Sequence, residues 1–425
     1  MKQRAIAVLV ATCLCLTSSS AWAQGEFPLS PEEIKDPANP LAGLNYDFHQ
    51  NSVRPASSLP GMPKNLADRV SLFTIRLGAA AQVSLLLDPS TPPRLYVDRD
   101  ADKDFSDETP ISGTPKTLEE ETVEFQRFAS LTRREGEAVH VYDFGHISLP
   151  TTGGAGQAER KFRLLGAQVD PTYYALLIRH DGLRGGEIRV GEKSYRVVVA
   201  DVNHDGRFDG AVSLPVSGPS FDILGVDLNG NGEFDMKVES GDLEMMLLPK
   251  MLYLDGSYYG VQVVPDGSAI RLGKAEPRLG TLEASTADVE LTVVSECGYR
   301  RLSGAEGKWQ LATGDYMLAQ IGLKTADDAG DTWMLMGRGS TKELQELQIT
   351  EGDTTRLPDV GPPFTTKTDV LPMGDSVLIA FSLVGKATEV YSLGAVKNGE
   401  QLPPPKFEIT DESGKVVVSG SFEYG

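Results

Sequence analysis

Cysteine is nearly missing from this chain: there are 3 in 425 residues, and Cys13 and Cys15 both fall within its apolar opening. That opening, MKQRAIAVLVATCLCLTSSSAWAQ, has Lys2 and Arg4 at its start, an apolar stretch from Ile6 to Leu16 and a small-x-small exit at Ala21-Trp22-Ala23. This is the composition of a secretory signal peptide over residues 1–23, and it predicts a secreted or periplasmic protein. Thr12 and Leu14 precede the two cysteines where lipidation would want a small residue, so no lipid anchor is expected. Cys297 is then the single cysteine of the mature chain, which excludes an intramolecular disulfide even in an oxidising compartment. With no His near it in sequence, it reads as a small buried apolar side chain.

Positive charge is also in short supply. Lys and Arg number 40 against 60 Asp and Glu, a formal net charge of −20, which argues against nucleic acid or anionic lipid as a partner. Beyond residue 23 no apolar run approaches the length of a membrane span. There are 5 histidines, and no His-Glu-x-x-His, Gly-x-Ser-x-Gly, phosphate-cradling loop or Cys-His pair. His140 and His146 stand six apart on a strand-like run and read as partly exposed strand residues; His49, His180 and His204 fall in a leader and in turns. Acidic runs such as Glu119-Glu120-Glu121 read as solvated faces in so acidic a chain.

Glycine (44), proline (26) and short β-branched or aromatic runs are abundant, and they predict an all-β protein of more than one domain. Residues 24–68, rich in Pro, Asn and Ser, read as an extended or disordered leader. β units are expected over 69–150, 151–275, 276–357 and 365–425, with residues 151–160 read as a flexible hairpin tip or a boundary. Within the third, Trp309, Gly314 and Tyr316 mark a strand–turn–strand that resembles the repeats of immunoglobulin-like secreted modules. The expected architecture is therefore a series of β-sandwich, immunoglobulin-like domains.

The chemistry concentrates in DVNHDGRFD and DLNGNGEFD. Oxygen-bearing side chains stand at the first, third, fifth and ninth places, with Gly sixth: Asp201, Asn203, Asp205, Gly206 and Asp209, then Asp227, Asn229, Asn231, Gly232 and Asp235. A hard divalent cation takes six to eight oxygens, and a loop of this pattern supplies them. A looser copy, DRDADKDFSD, sets Asp98, Asp100 and Asp102 in the same slots, but has Lys103 for the glycine and Ser106 at the ninth place. Asp104, Arg207 and Glu233 occupy the seventh place and complete the predicted metal-site residues. Phe105, Phe208 and Phe234 are eighth in every copy, where an apolar side chain can anchor the loop on a sheet. Surface solvation alone gives no reason for that register. LYV, VVVA and ILGV lead into the three loops, so each is expected to leave a strand. Calcium is the expected ion, because magnesium keeps its waters and rarely uses an all-protein cage.

The loops resemble the calcium loops of EF-hand-like, dockerin and thrombospondin type 3 proteins over some ten residues each. The strand-borne loops and the closing Gly420-Ser-Phe-Glu-Tyr-Gly425 resemble secreted bacterial β-rich proteins. An EF-hand loop ends on a bidentate Glu at its twelfth place, where this chain has Thr109, Val212 and Val238. A further carboxylate is expected from Asp107 or Glu108, from Asp222, and from Glu239 or Asp242. The leading expectation is an exported, non-enzymatic calcium-binding scaffold or binding module with a glycan or an envelope protein as partner. The alternative is a calcium-dependent hydrolase acting on polysaccharide, with a carboxylate pair and Tyr173 or Tyr174 lining its cleft. A passive calcium buffer would need more and denser loops.

Overall fold

The computed structural model describes residues 25–32, 46–77, 81–116, 140–151, 158–170, 173–180, 182–214, 221–234, 244–285, 289–304, 306–327, 329–373, 376–391 and 395–422. Among them almost every element is a strand, the exceptions being single turns of helix at Ala56–Ser58 and Lys342–Gln345. The fold class read from composition holds: the protein is all-β, built from several mainly antiparallel sheets. No helix among the described residues is long and apolar enough to cross a membrane. By their contacts the described residues fall into two compact units, Gly25–Leu272 and Gly273–Gly425.

Within the stretch expected as an extended or disordered leader, the described residues contribute three strands: β1 (Gly25–Pro31), β2 (Tyr46–Ser52) and β3 (Arg54–Pro55). β4 (Arg69–Leu77), β5 (Ala81–Asp88) and β6 (Arg94–Asp98) then form a meander continued by β7 (Ile111–Ser112). β8 (Thr114–Lys116), β9 (His140–Thr151), β10 (Ala158–Asp170) and β11 (Tyr173–His180) join β2 in a second sheet, ordered β2-β11-β10-β9-β8. Side chains alternate across a strand, so VSLFTIRL turns Phe73, Ile75 and Leu77 to one face. They pack with Leu85, Phe144, Ile147, Phe162, Leu164 and Leu176 in one core between the two sheets. Each such side chain contributes roughly 1.5–3 kcal/mol on burial. The other face of the meander, Val70, Leu86 and Tyr96, is covered by Leu59, Met62, Leu66 and Phe105.

Residue 151 does not separate two β units, because β9 and β10 pair from Thr151↔Ala158 to His140↔Gln168. Their ladder binds the segments on either side of that point into one sheet. A register shift at Phe144 breaks the strict alternation between His140 and His146.

The remaining strands of this unit are β12 (Leu183–Val190), β13 (Lys193–Ala200), β14 (Ile223–Val226), β15 (Met245–Leu247), β16 (Met251–Leu254), β17 (Ser257–Val263) and β18 (Ala269–Ala275). β1 sits at their centre and serves two neighbours. Its first half pairs with β18 through Gly25↔Leu272 to Pro28↔Ala269, and its second with β12 through Leu29↔Gly186 to Pro31↔Arg184. The order is β15-β14-β13-β12-β1-β18-β17-β16, and residues 248–250 link the two outermost strands. The sheet therefore turns back on itself. Across the turn, Lys193 Nζ and Tyr195 Oη of β13 donate to the Asp255 carboxylate in the β16–β17 turn, at 2.7 Å each.

In the second unit, Leu282 and Leu311 of a three-stranded sheet pack with Leu291, Val293, Tyr316 and Ile321 of a larger one. Tyr316 Oη donates to the Ala312 carbonyl at 2.8 Å and fixes the turn between their strands. Leu357, Val360, Phe364, Leu383 and Tyr391 enter the same core, so the Pro-rich stretch near residue 360 lies within one unit. Cys297 is buried, as its surroundings in sequence suggest. The hairpin expected around Ser413-Gly414 forms, with Lys406–Thr410 antiparallel to Val416–Ser421. Strand order here does not establish the immunoglobulin arrangement.

Candidate metal centres

All three acidic loops leave the C-terminal end of a strand, the first from β6, the second from β13 and the third from β14. Their backbones repeat one another. The fourth and sixth positions are left-handed in each: Ala101 (φ 62) and Lys103 (φ 67), His204 (φ 60) and Gly206 (φ 85), Gly230 (φ 75) and Gly232 (φ 83). Alternating handedness curls the chain and turns its N–H groups inward, a concavity suited to negative charge. The first carboxylate fills it. Asp227 accepts N–H groups from Gly230 at 2.7 Å and Gly232 at 2.9 Å, Asp201 accepts from Gly206 at 3.1 Å, and Asp98 accepts from Ala101 and Lys103.

The third and fifth side chains fold over their own loops in the same way. Asn203 Oδ1 accepts from Asp205 N at 2.9 Å and Asp205 Oδ1 from Arg207 N at 2.8 Å. Asn229 and Asn231 do so with Asn231 N and Glu233 N at 2.9 and 2.8 Å, and Asp100 and Asp102 with Asp102 N and Asp104 N at 3.4 and 2.6 Å. The eighth-position phenylalanines are all buried. The Arg184 guanidinium stands 4.7 Å from the centre of the Phe208 ring, and that of Arg196 stands 5.0 Å from Phe234.

The loops differ in how far their oxygens are gathered. Asp98, Asp100 and Asp102 bring one carboxylate oxygen each within 4.8 Å of the others, the one group of three acidic, His or Cys ligands so close among the described residues. Burial, then the charges of Asp100 and Asp102, push the Asp98 carboxyl up, against the N–H groups of Lys103 and Ala101, which hold it down. Its Oδ1 is buried with no hydrogen-bond partner. Asp104 turns instead to Ser106, whose N–H it accepts at 2.8 Å.

At the second loop Asp201 and Asn203 are buried and Asp205 is half-buried. Burial pushes the Asp205 carboxyl up, and the neighbouring Asp201 and Asp209 charges add to the shift. Asp209 itself is held by Arg207 through Nε–Oδ1 and Nη2–Oδ2 bonds of 2.9 and 2.6 Å. At the third loop Asp227 is buried, whereas Asn229, Asn231 and Glu233 are exposed. Asp235 lies outside the described residues, as do Glu239, Asp242 and Glu119 to Glu121.

Every loop also meets an acid from the start of the strand that returns beside it. Asp222 precedes β14 and is fully buried, with Oδ2 accepting Gly210 N–H at 2.8 Å and Oδ1 without a partner. Burial pushes this carboxyl up to about 8, with Asp201, Asp205 and Asp209 reinforcing the shift. Glu244 precedes β15; its Oε1 accepts the N–H groups of Leu228 and Asn229 at 2.8 and 3.0 Å. Glu108, ahead of β7, accepts Arg99 N–H at 2.7 Å and the Arg99 guanidinium at 3.0 Å. Glu244 is the acid that sequence reasoning overlooked. The signal for it was an acidic residue directly before the next apolar run, the same place that Asp222 takes.

Hard oxygen donors, buried in part, suit a hard divalent cation better than a soft metal. The aromatics considered for a polysaccharide cleft are placed otherwise: Tyr174 belongs to the sandwich core and Tyr173 is exposed. A shallow depression of about 660 Å³, lined by Pro55, Leu59, Met62, Leu66 and Arg69, has Asp68 as its one carboxylate. Compared with models of known families, with curated proteins and with solved structures, the chain matches none of them.

Proposed function

We propose that this chain is an exported, non-enzymatic β-scaffold whose strand-borne loops bind calcium, and that the ion's role is structural. The observation that carries the reading is the repeated backbone. Three separate loops, at three strand ends, share left-handed fourth and sixth residues around a first-position carboxylate. With Cys297 the one cysteine among the described residues, and free, an ion bridging a loop to the acid on the returning strand would pin neighbouring strands together.

The deciding experiment is a thermal unfolding series from chelator to millimolar calcium, with Asp201→Ala and Asp227→Ala as controls. Calcium should raise the melting temperature of the native chain, and each substitution should remove part of that gain. A melting temperature that stays flat across the series removes the proposal.

A further inference from the structure

We infer that Asp222 is a direct ligand of the ion at the Asp201 loop, in the place an EF-hand-like loop gives to its twelfth residue; this rests on the calcium reading above. Asp222 lies outside the loop in sequence and is brought back by the antiparallel pairing of β13 with β14, in which Ala200 stands opposite Ile223. Its side chain is fully buried. One oxygen is tied to Gly210 N–H, and the other has no hydrogen-bond partner.

A Cβ placed on Gly210 would stand 2.9 Å from Asp222 Oδ2 and 3.1 Å from Asn203 Nδ2, so the Asp222 carboxylate and the third loop side chain converge on this glycine. The oxygens of Asp201, Asp205 and Asp222 are not gathered within 4.8 Å as those of Asp98, Asp100 and Asp102 are, so an ion there would draw them together. A buried carboxylate without a cation, beside two like charges, is costly, and a divalent ion among the three removes the penalty. Asp209 cannot take this place while both its oxygens are bound by Arg207.

The other returning acids act differently. Glu108 commits both oxygens to Arg99, and Glu244 bonds two N–H groups of its loop through one oxygen. These hold the loop's shape. At the Asp201 site, then, the ligands of a bound ion would be Asp201, Asn203, Asp205 and Asp222, drawn from two strands. An ion there would cross-link β13 to β14 directly.

The test is Asp222→Asn in the full-length mature protein, titrated with calcium by calorimetry and unfolded thermally in chelator and in millimolar calcium. The substitution keeps the shape and an acceptor for Gly210 N–H. It should weaken one class of site by at least ~10-fold. It should also raise the melting temperature in chelator, where a neutral amide replaces a carboxyl that ionises in the unfolded chain, and lower it relative to the native chain in calcium. A purely structural role for Asp222 gives no such change of sign. Should Asp222→Asn fail to fold, Gly210→Ala provides the second arm, since its methyl would press the Asp222 carboxylate away from Asn203 and weaken the same site. A native isotherm for Asp222→Asn, beside loss of one site in Asp201→Asn, overturns the inference and leaves the calcium reading intact. No calcium binding by the native chain overturns both.

Discussion

Asp201 and Asp227 make the same bond at opposite ends of the β14 ladder: each carboxylate accepts the N–H of the glycine at the sixth position of its loop, Gly206 at 3.1 Å and Gly232 at 2.9 Å. The two loops share a strand pair without sharing these bonds, so under the calcium proposal their ions should act as separate stabilisers. At about 2 mM calcium and a Kd near 10⁻⁴ M, typical of extracellular modules, each site adds roughly 1.8 kcal/mol. For a unit of this size that is about 4–7 °C. Asp201→Ala and Asp227→Ala should each forfeit about that much in calcium, and the double variant about the sum. A double variant no worse than either single would show that the loops do not bind independently.

Lys103 occupies the left-handed sixth position that glycine fills in the other two loops. A side chain there costs roughly 1–2 kcal/mol, part of which a glycine returns through greater freedom of the unfolded chain. Lys103→Gly should therefore stabilise the first unit by about 0.5–1 kcal/mol, read as a higher urea midpoint at unchanged slope in the presence of chelator. Gly232→Ala should do the reverse by about 1 kcal/mol, since its added methyl meets nothing within 4 Å and only the backbone pays. Equal signs for the two substitutions would contradict a common loop backbone.

The parts of this arrangement that were legible in sequence are the ones built from short-range rules. Asp, Asn and Gly at alternate places, with Phe at the eighth, state a curled loop and its anchor within ten residues or so. VVVA and ILGV state the strands that lead into two of the loops. Long-range pairing leaves no such trace. β1, GEFPLSP, has little alternation of its own, yet it sits between β12 and β18 because their exposed backbone groups accept it from both sides. Glu244 escaped notice for a related reason: only the β14–β15 register, Gly225 opposite Met245, sets it beside the Asp227 loop. The boundary expected near residue 151 falls between β9 and β10, which pair with each other.

Phe208 anchors the second loop, packed beside the Arg184 guanidinium and against Gly267. Phe208→Ala should cost about 3–5 kcal/mol, as buried aromatic truncations do. A Cβ on Gly267 would come within 2.7 Å of the Phe208 ring, and Gly267 is itself left-handed at φ 70. Gly267→Ala should thus be strongly destabilising in the native chain and less so once Phe208 has been truncated. Denaturant unfolding of the four members of that cycle measures the coupling; strict additivity would place Phe208 away from Gly267.

The Tyr195–Asp255 contact gives the first unit a pH limit on each side. Burial pushes the Tyr195 phenol up to about 12, helped by its bond to Asp255. Below pH 10 the folded and unfolded chains both keep this proton and the contact contributes in full. Between about 10 and 12 the unfolded chain releases the proton and the folded chain does not, so stability falls as pH rises. On the acid side, bonds from Lys193 and then Tyr195 hold the exposed Asp255 carboxyl below its ordinary range. That part is present above the usual carboxylate value and fades as pH drops through the lowered one. Tyr195→Phe keeps the ring and deletes the alkaline titration. Urea unfolding at pH 8, 10 and 11 should show the native chain losing more stability than Tyr195→Phe over that interval, with the gap opening only above pH 10. Parallel curves for the two proteins would mean that Tyr195 titrates as an ordinary exposed phenol and that the β13 contact to the β16–β17 turn is not made in solution.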